Sequence, residues 1–487
     1  MANEYDAVVV GSGPNGLAAA ITLARAGLSV LVLEAKSTIG GGARSAELTL
    51  PGFVHDVCSA VHPLAAGSPF FKALPLEKFG LDWIQPEIPL AHPLDDGSAA
   101  CLQRDVDLTA DSLGRDARAY QKMMTPLTRD WEKLSAEFLQ PILHWPRHPV
   151  ALGKFGIRAM CPSTLLTKLL FKEKSARALI AGIAAHSFLP LECFISSAFA
   201  LVLGAAGHAV GWPIPRGGSQ SISNALANYF REVGGKIQIN RRVENLNEIP
   251  KGRVTLFDTT VWQFARIAED QLPVRYRRRM KNFRHAPGIF KIDYALNSPI
   301  PWKAENCRRA GTIHLGGTID EIADAECVIA RGEIPQRPFV LVAQQSLSDP
   351  ARAPSGQHTL WAYAHAPFDC KIDMSEAIEN QIERFAPGFH DCVLARHKSG
   401  VIDLEKSNPN LAGGDISGGA TDVWQLLARP TFSATPYRTP LTGIYLCSSS
   451  TPPGGGVHGM CGYHAARAAL RDFFGKQLPA NPANLVD

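Results

Sequence analysis

The chain has 487 residues, of which 46% are hydrophobic, and a formal net charge of +4. This composition excludes a disordered or fibrous protein and is sufficient for a large buried core, with two domains expected at this length. The densest basic run, residues 275–285, is interpreted as a solvated helix face rather than a binding patch. We therefore predict no nucleic-acid partner.

The start of the chain predicts a cytoplasmic or matrix-like protein without a signal peptide. An apolar run of strand type already begins at Tyr5, which leaves no room for a charged leader and a cleavage site. The ten cysteines contain no C-x-x-C pair and are interpreted as reduced core residues. The fifteen histidines form no H-E-x-x-H pattern, so no metal site is predicted.

The first distinct motif is "VVVGSGPNGLAAAITLARAGLSVLVLEA". A strand over residues 5–10 leads into a G-x-G-x-x-G loop and a helix, and a second strand over residues 28–33 ends at Glu34. An acidic side chain about 20 residues past the loop is where a ribose hydroxyl needs an acceptor. The three glycines of the loop are Gly11, Gly13 and Gly16.

Each part of this β-α-β unit has a physical reason. Gly11 permits the tight turn, Gly13 lets backbone amides approach a pyrophosphate, and Gly16 lets helix and strand pack closely. The unit predicts a dinucleotide site, the alternative being a structural turn without a ligand. No second unit of this type follows, which favours a loop that holds the catalytic cofactor itself.

Two further stretches carry a family resemblance, "AKSTIGGGARSAELTLPGFVHDVCSAVHPL" after Glu34 and "GIYLCSSSTPPGGGVHGMCGYHAARAAL" near the end. With the glycine loop they resemble the FAD-dependent desaturases and oxidases related to phytoene desaturase, and more distantly the flavin amine oxidases. The nearest resemblance is to the phytoene-dehydrogenase-related group that includes pyridine nucleotide-disulphide oxidoreductase domain-containing protein 2. Despite that name, this chain lacks the paired redox cysteines of a disulfide reductase.

The resemblance implies an α/β fold in which a discontinuous Rossmann-type FAD-binding domain is joined to a mixed α+β substrate domain. The FAD-binding domain is expected over residues 1–73, 213–285 and 429–487, and the substrate domain over residues 74–212 and 286–428. The cofactor implied is FAD, and the residues implied to bind it are Gly11, Gly13, Pro14, Asn15, Gly16, Glu34, Ala35, Gly40, Gly41, Ala43, Arg44, Val61, Val243, Gly454, Gly455, Gly456 and Val457.

Some of these positions depart from the family pattern. An arginine often follows the glycine doublet directly, whereas here Gly42 and Ala43 come before Arg44, so a pyrophosphate contact and a surface position both stay open. The stretch "WPIPRGGSQSISNALANYFREVGGKIQINRRVENL" is similar to the family's return to the cofactor domain and predicts a glycine turn, a helix and a strand before Val243.

The carboxyl-terminal stretch is expected to support the redox chemistry. It predicts a strand, an irregular glycine loop and a helix over residues 457–470. The free amides of that first helical turn would stabilise the negative charge of a reduced flavin.

Three residues are candidates for catalysis. His458 lies at this helix start and is predicted to face the flavin or the substrate, the alternative being a histidine that packs the first turn. His62, in "SAVHPL", is a candidate for the same cavity. Lys291, in "GIFKIDYALNSPIPW", resembles the lysine that flavin amine oxidases place near flavin N5, with Trp302 matching their tryptophan; a solvent-facing lysine on an edge strand is the alternative.

Residues 74–212 read as mainly helical, and residues 286–428 contain strand-like runs. The apolar segment over residues 178–212 contains His186 and His208 and is interpreted as buried core or tunnel wall rather than a membrane span. Residues 157–174 are apolar with lysines on one side, which suits peripheral membrane contact or an ordinary surface helix.

Together these features predict an FAD-dependent dehydrogenase, desaturase or oxidase that removes a hydride from a hydrophobic small-molecule substrate of isoprenoid type, with re-oxidation by oxygen or a quinone. One alternative is a flavin-fold protein with a binding or assembly role. Another is amine oxidation, for which Tyr445 and Tyr463 are the aromatic candidates near the flavin, although both are more simply interpreted as core or helix residues. The oligomeric state stays open.

Overall fold

The computed structural model describes residues 4–484. The strands are β1 Tyr5–Val10, β2 Val30–Leu33, β3 Ser45–Glu47, β4 Val54–Asp56, β5 Trp83–Ile84, β6 Ile88–Pro93, β7 Ala99–Leu102, β8 Ile214–Pro215, β9 Lys236–Gln238, β10 Gly252–Phe257, β11 Gly288–Leu296, β12 Ala310–Leu315, β13 Val340–Ala343, β14 His358–Ala366, β15 Val393–Ser399 and β16 Ile444–Leu446.

The helices are α1 Pro14–Arg25, α2 Pro63–Ala66, α3 Pro69–Lys72, α4 Val106–Asp111, α5 Ala117–Arg129, α6 Trp131–Phe138, α7 Pro149–Ala159, α8 Ser163–Leu170, α9 Lys174–Ala184, α10 Ser196–Ala209, α11 Gln220–Glu232, α12 Val261–Ile267, α13 Val274–Lys281, α14 Ile319–Ala330, α15 Gln345–Ser348, α16 Ser375–Phe385, α17 Phe389–Cys392, α18 Val401–Ser407, α19 Val423–Leu427 and α20 Met460–Phe474.

The first sheet is parallel, with the strand order β16-β10-β1-β2-β9. Its central strand β1 buries side chains on both faces, as parallel sheets covered by helices do. Ala7 and Val9 pack in the core formed with α1, α11 and α20, whereas Val8 and Val10 pack in the core formed with α12 and α13. The predicted β-α-β unit is β1, α1 and β2.

The second sheet is mixed, with the order β15-β11-β14-β13-β12-β6-β7, and only its β12–β6 pair is parallel. One face packs on the helical layer that includes α5, α9 and α10, and the other face packs on α16. Strands β6 and β7 lie in the stretch read as mainly helical, so that reading was incomplete. Prolines at positions 89 and 93 of "IPLAHP" hide the strand pattern.

All strands of the first sheet lie in the three segments predicted for the cofactor domain, and all strands of the second lie in the two segments predicted for the substrate domain. The exact domain boundaries stay a prediction. The apolar segment over residues 178–212 forms the buried parts of α9 and α10. Among the described residues, no helix is long and apolar enough to cross a membrane.

The carboxyl-terminal helix begins later than predicted, at Met460 rather than at residue 457. The preceding Gly454, Gly456 and Gly459 have φ angles of +113°, +119° and +71°, which are outside the helical region. Residues 454–459 therefore form an irregular turn in front of α20.

Candidate functional site

A cavity of about 860 Å³ joins residues of both sheets. It extends from the glycine loop after β1, past the turn before α20, to α7, α10 and β14. Of the site residues predicted from the sequence, those that line it are Gly11, Gly13, Pro14, Asn15, Glu34, Ala35, Gly41, Ala43, Arg44, Val61, His62, Val243, Gly454, Gly455, Gly456, Val457 and His458. Gly16, Gly40 and Lys291 lie behind the lining.

The glycine loop is packed too closely for side chains. A Cβ on Gly16 would lie 2.2 Å from the carbonyl oxygen of Gly11, so Gly16 serves the packing of α1 on the loop. A Cβ on Gly13 would lie 2.6 Å from Oδ2 of Asp258, and one on Gly41 would lie 3.1 Å from the Cα of Gly13. Gly40 instead packs on Ser223 of α11.

The start of α1 is suited to an anionic group. Its N-cap residue is Gly13, which has no side chain to cap the amides of the first turn. The positive end of the helix dipole therefore faces the cavity. Asn15 lines the same space, and its buried Oδ1 has no hydrogen-bond partner among the described residues. A glycine cradle at a helix start fits the pyrophosphate of a dinucleotide.

Asp258, which follows β10, is a site residue that the sequence reasoning missed. Its Oδ2 accepts a hydrogen bond from the Gly16 N–H at 2.9 Å. Burial raises the pKa of Asp258 to about 8, and the charge of Glu34 adds to the rise. A neutral carboxyl can donate a hydrogen bond to a phosphate where a carboxylate would repel it. The signal available in the sequence was an acid directly after an apolar strand.

Glu34 connects the loop to the end of β2. Its Oε2 accepts hydrogen bonds from the Ser12 N–H at 3.0 Å and the Ser12 hydroxyl at 2.5 Å, and its Oε1 accepts one from the Lys36 N–H at 2.9 Å. The carboxylate thus fixes the loop conformation. Its contact with a ribose stays a prediction.

Arg44 is fixed beside the cradle rather than on the open surface. Its Nε donates to the Gly41 carbonyl at 2.8 Å and its Nη2 donates to the Ser407 hydroxyl at 2.9 Å. The guanidinium is therefore positioned next to the second glycine turn, where it lines the cavity. Its pyrophosphate contact stays a prediction.

His458 lines the cavity in the turn before α20. Its Nδ1 accepts from the Met460 N–H at 3.1 Å, and its Nε2 lies 3.2 Å from the Gly454 carbonyl, to which it donates. Burial lowers its pKa to about 4, so the ring is neutral near pH 7. Because both ring nitrogens hold the turn, His458 organises the glycine loop. Its catalytic role stays a prediction.

Behind the same turn lies Arg429, which the sequence reasoning also missed. It is 1% exposed, and its guanidinium donates to the carbonyl groups of Ser449 and Ser417 at 2.8 Å each. These bonds hold the β16 loop against the segment near residue 417. No pattern in the sequence marks this arginine, because its partners are main-chain atoms from distant segments.

His62 lies on the side of the cavity formed by α2. Its Nε2 is 2.9 Å from the Ser219 hydroxyl, and burial lowers its pKa to about 4. The Ser219 N–H donates to Asp56, which is paired with the buried Arg352. His62 therefore ends a buried polar network. A direct catalytic role for it stays a prediction.

Lys291 is fully buried in β11, so the solvent-facing alternative is not what the structure shows. Its ammonium is paired with Asp293 and lies 5.9 Å from the ring centroid of Trp361. Its cross-strand neighbour in β14 is Tyr363. Trp361 and Tyr363 line the cavity, which places the lysine directly behind its aromatic wall.

Trp302, the residue matched to the tryptophan of the amine oxidases, is buried away from the cavity lining and donates to Gln344 at 2.9 Å. Tyr445 and Tyr463 are not cavity residues: their hydroxyls bond Asp472 and the Pro479 carbonyl. The simpler interpretation of both as core residues is confirmed, because the strand and helix that carry them turn these side chains into the core.

The wide end of the cavity is apolar. Its lining from the helical layer consists of Leu152, Phe155, Ala159, Met160, Ile195, Ala198, Phe199, Val202 and Leu203. Its aromatic wall consists of Phe188, Trp212, Trp361 and Tyr363. Such a chamber suits a hydrophobic ligand.

His186 is one of the polar residues that line the cavity. Its Nε2 lies 3.1 Å from Nε2 of His314, and burial lowers the pKa of His186 to about 3. The Nδ1 atoms of His314 and His92 have no partner among the described residues. Several neutral histidines are thus buried side by side, although no cluster in the part of the chain that the structure describes is arranged to hold a metal.

Known proteins resemble this chain in sequence and in fold. A family described as NAD(P)-binding Rossmann-like domain matches residues 9–73. Pyridine nucleotide-disulfide oxidoreductase domain-containing protein 2 of Rattus norvegicus is 26% identical over 96% of this chain and 94% of its own. Phytoene dehydrogenase of Streptomyces griseus is 27% identical over 74% of this chain and 72% of its own. The predicted resemblance is confirmed: proteins with these names are similar to this chain in sequence.

The predicted fold class is confirmed as well. Putrescine oxidase with bound putrescine superposes with a TM-score of 0.62 at 16% identity, covering 97% of this chain and 99% of that one. This chain therefore shares the fold of an amine oxidase. The names of these relatives describe oxidoreductases, and the Rossmann-like unit is a dinucleotide-binding one.

Proposed function

We propose that the protein is an FAD-dependent oxidoreductase that removes a hydride from a hydrophobic, isoprenoid-like substrate and is re-oxidised by oxygen or a quinone. The observation that carries the proposal is the cavity itself. One space connects the dinucleotide cradle of Gly11 and Gly13 with the apolar chamber lined by α7 and α10. A cofactor and a hydrophobic substrate would meet inside it.

The residues fit FAD in this space. The starts of α1 and α20 approach each other so closely that a Cβ on Gly462 would lie 1.9 Å from the Asn15 carbonyl oxygen. Asn15 lines the cavity at the start of α1, and Val457 lines it in the turn before α20, so a ligand there would meet the positive end of α1 and the backbone of that turn. The start of α1 suits a pyrophosphate, and the glycine turn before α20 suits a ring that becomes negatively charged. A dinucleotide with an electron-accepting ring matches both features.

Bound FAD would supply the hydride acceptor. The chain supplies the surroundings: the chamber excludes water and holds an apolar substrate in place, and backbone amides near Gly455 and Gly456 stabilise developing negative charge. Hydride removal from a hydrocarbon needs no strong acid-base pair. That suits a chamber whose polar members include the neutral His186.

The relatives support the substrate class. The name of the Streptomyces griseus relative states that it dehydrogenates phytoene, an isoprenoid hydrocarbon. The lining of the present chamber is of matching character, since α7 and α10 contribute apolar side chains to it. Both lines of support point to an apolar substrate.

The proposal is tested by anaerobic mixing of the purified protein with candidate isoprenoid hydrocarbons while the visible flavin band is followed. We expect bleaching with a hydrophobic substrate. Ala198→Trp, which fills the chamber from α10, should retain the flavin spectrum and slow bleaching at least tenfold. A protein that binds no FAD, or wild-type and variant proteins that bleach equally fast, would contradict the proposal.

Amine oxidation has one specific observation in its favour, the aromatic pair in β14. The rings of Trp361 and Tyr363 lie 5.1 Å apart at 88° beside the cavity. Bleaching by amines but not by hydrocarbons would therefore select amine oxidation. Absence of bleaching by either class would select a binding role.

A further inference from the structure

An unusual share of exposed apolar side chains belongs to one segment around α7 and α8. We define the mouth surface as the apolar residues here that are at least 40% exposed: Ile142, Leu143, Trp145, Val150, Ile157, Met160, Leu165, Leu169 and Phe194. Trp145, Ile157 and Val150 are 92%, 78% and 71% exposed. Exposed aromatic and branched side chains at this density mark an interaction site.

Residues 138–172, which carry all of the mouth surface except Phe194, have charges of one sign only. Residues 138–172 contain no aspartate or glutamate, but five lysines and arginines, which are Arg147, Lys154, Arg158, Lys168 and Lys172. The flanking carboxylates are engaged elsewhere. Glu137 is buried and bonded to His144 and to the Arg147 and His148 N–H groups, and Glu173 is paired with Arg115. The mouth surface is therefore both apolar and basic.

The surface surrounds an entrance to the cavity. Ile142 and Met160 are 50% and 49% exposed and also line the cavity. Helix α7 has two apolar faces: Phe155 and Ala159 line the chamber, whereas Val150 and Ile157 point to solvent on the opposite side. The Ile195 N–H bonds the Met160 carbonyl, which brings the α10 start and its exposed Phe194 to the same rim.

We infer that the mouth surface docks on a bilayer that contains anionic lipids. Apolar side chains would enter the acyl boundary while Lys154 and Lys168 meet lipid phosphates. A second copy of this chain is a poorer occupant, because self-docking would place like charges of residues 138–172 opposite each other. A lipid surface satisfies both the apolar and the basic character.

The position of the entrance gives this docking a use. This use rests on the proposed function. A substrate dissolved in the bilayer would pass between Ile142 and Met160 into the chamber without crossing water. The outward apolar face of α7, with Val150 and Ile157, would then lie in the bilayer, and its inward face, with Phe155 and Ala159, would line the path into the chamber.

Co-sedimentation of the full-length protein with vesicles tests the inference. We expect binding to vesicles of phosphatidylcholine with phosphatidylglycerol, and weaker binding to phosphatidylcholine alone. Trp145→Ser with Ile157→Ser should weaken binding at least tenfold. Lys154→Glu with Lys168→Glu should weaken binding to the anionic vesicles by at least tenfold, since each basic group contributes about fivefold. Neither pair includes a residue that lines the cavity.

Matched controls are available on other surfaces. Trp424 and Ile402 are 78% and 64% exposed, and Trp424→Ser with Ile402→Ser should leave vesicle binding unchanged. Insertion of Trp145 should shift tryptophan emission to shorter wavelength on vesicle addition, and this shift should vanish in Trp145→Ser.

Three outcomes would overturn the inference: no sedimentation with either vesicle, equal loss in the control pair, or a solution dimer that Trp145→Ser with Ile157→Ser dissociates. The measurement needs neither flavin nor turnover. A protein that binds vesicles but no FAD would refute the proposed function and leave the docking intact. A protein that binds FAD but no vesicles would refute the docking and leave the proposed function intact.

Discussion

Oδ2 of Asp258 accepts a hydrogen bond from the backbone N–H of Gly16, 2.9 Å away, across 242 residues of sequence. The carboxyl group therefore lies at the start of α1, where a pyrophosphate is proposed to bind. Burial raises the pKa of Asp258 to about 8. A bound anion favours the protonated form, so ionisation of Asp258 should oppose cofactor binding.

The first prediction is a pH dependence of FAD affinity. The dissociation constant should be nearly constant below pH 8 and rise about tenfold per pH unit above it, because binding then requires uptake of a proton. In Asp258→Asn, which still accepts from Gly16, this rise should disappear. Fluorescence titration with FAD from pH 6 to 10 measures the dissociation constants of the wild type and of Asp258→Asn.

The same group has a stability effect of defined sign. Because the folded pKa of about 8 lies above the ordinary value of 3.8, the contribution of Asp258 is fully present below pH 4 and is lost as the pH rises to 8. Asp258→Asn should therefore gain melting temperature relative to the wild type between pH 5 and pH 9. Asp82→Asn, a change at an exposed residue, should not raise the melting temperature. If the melting temperatures of the wild type and Asp258→Asn change with pH in parallel, Asp258 does not have this effect on stability.

The second prediction concerns the space beside Gly13. Gly13→Ala would place a methyl group 2.6 Å from Oδ2 of Asp258 and should lower FAD affinity at least a hundredfold, because the carboxyl must move into the cradle. Gly153→Ala is the matched control, since no heavy atom lies within 4 Å of its Cβ position in α7. It should retain FAD and gain about 0.5–1 kcal/mol of stability. Flavin content after gel filtration decides between the two results.

The third prediction separates the fold from the redox role of Lys291. Lys291→Met leaves the buried Asp293 without its partner and should cost about 3–5 kcal/mol of unfolding free energy. Lys291→Met with Asp293→Asn should recover most of that loss. If the amine acts through the aromatic wall on charge formed during re-oxidation, the double variant binds FAD but reacts more slowly with oxygen after photoreduction.

Stopped-flow mixing of the photoreduced protein with oxygen measures that rate. Asp293→Asn alone serves as the control that keeps the ammonium in place. A re-oxidation rate equal to that of the wild type in the double variant would leave Lys291 a structural residue of β11.

The fourth prediction concerns acid stability. Burial lowers the pKa values of His186 and His92 to about 3 and about 4, and that of His314 well below its ordinary value of 6.5. The unfolded chain takes up protons on these rings below pH 6.5 and the folded chain does not, so stability must fall as the pH falls. His314→Gln should reduce the slope of unfolding free energy against pH by about 1.4 kcal/mol per pH unit between pH 4.5 and 6.

Urea unfolding at several pH values gives that slope. His148→Gln, at a ring partly accessible to water, is the comparison and should change the slope little. Identical slopes in the wild type and His314→Gln would mean that His314 is protonated in the folded protein.

Local pattern was enough to predict the β-α-β unit, the helix after residues 217–218 and the presence of strands within residues 286–428. In each case the information lies within neighbouring residues. Apolar periodicity determines whether a segment forms a helix or a strand, and a glycine marks where the element begins or ends. The helix start near residue 457 was wrong by three residues because Gly454, Gly456 and Gly459 have positive φ angles, which delay the first helical turn.

What the sequence by itself determined is therefore the cofactor cradle, whose parts from Gly11 to Glu34 are held together by one short β-α-β unit. Only the tertiary structure brought Asp258 to Gly16 and His186 to His314, since these pairs are 242 and 128 residues apart. It also decided that Lys291 is buried and that α7 separates the chamber from a basic apolar surface. Such contacts depend on strand order and helix packing, which arise from many weak long-range interactions that no local pattern records.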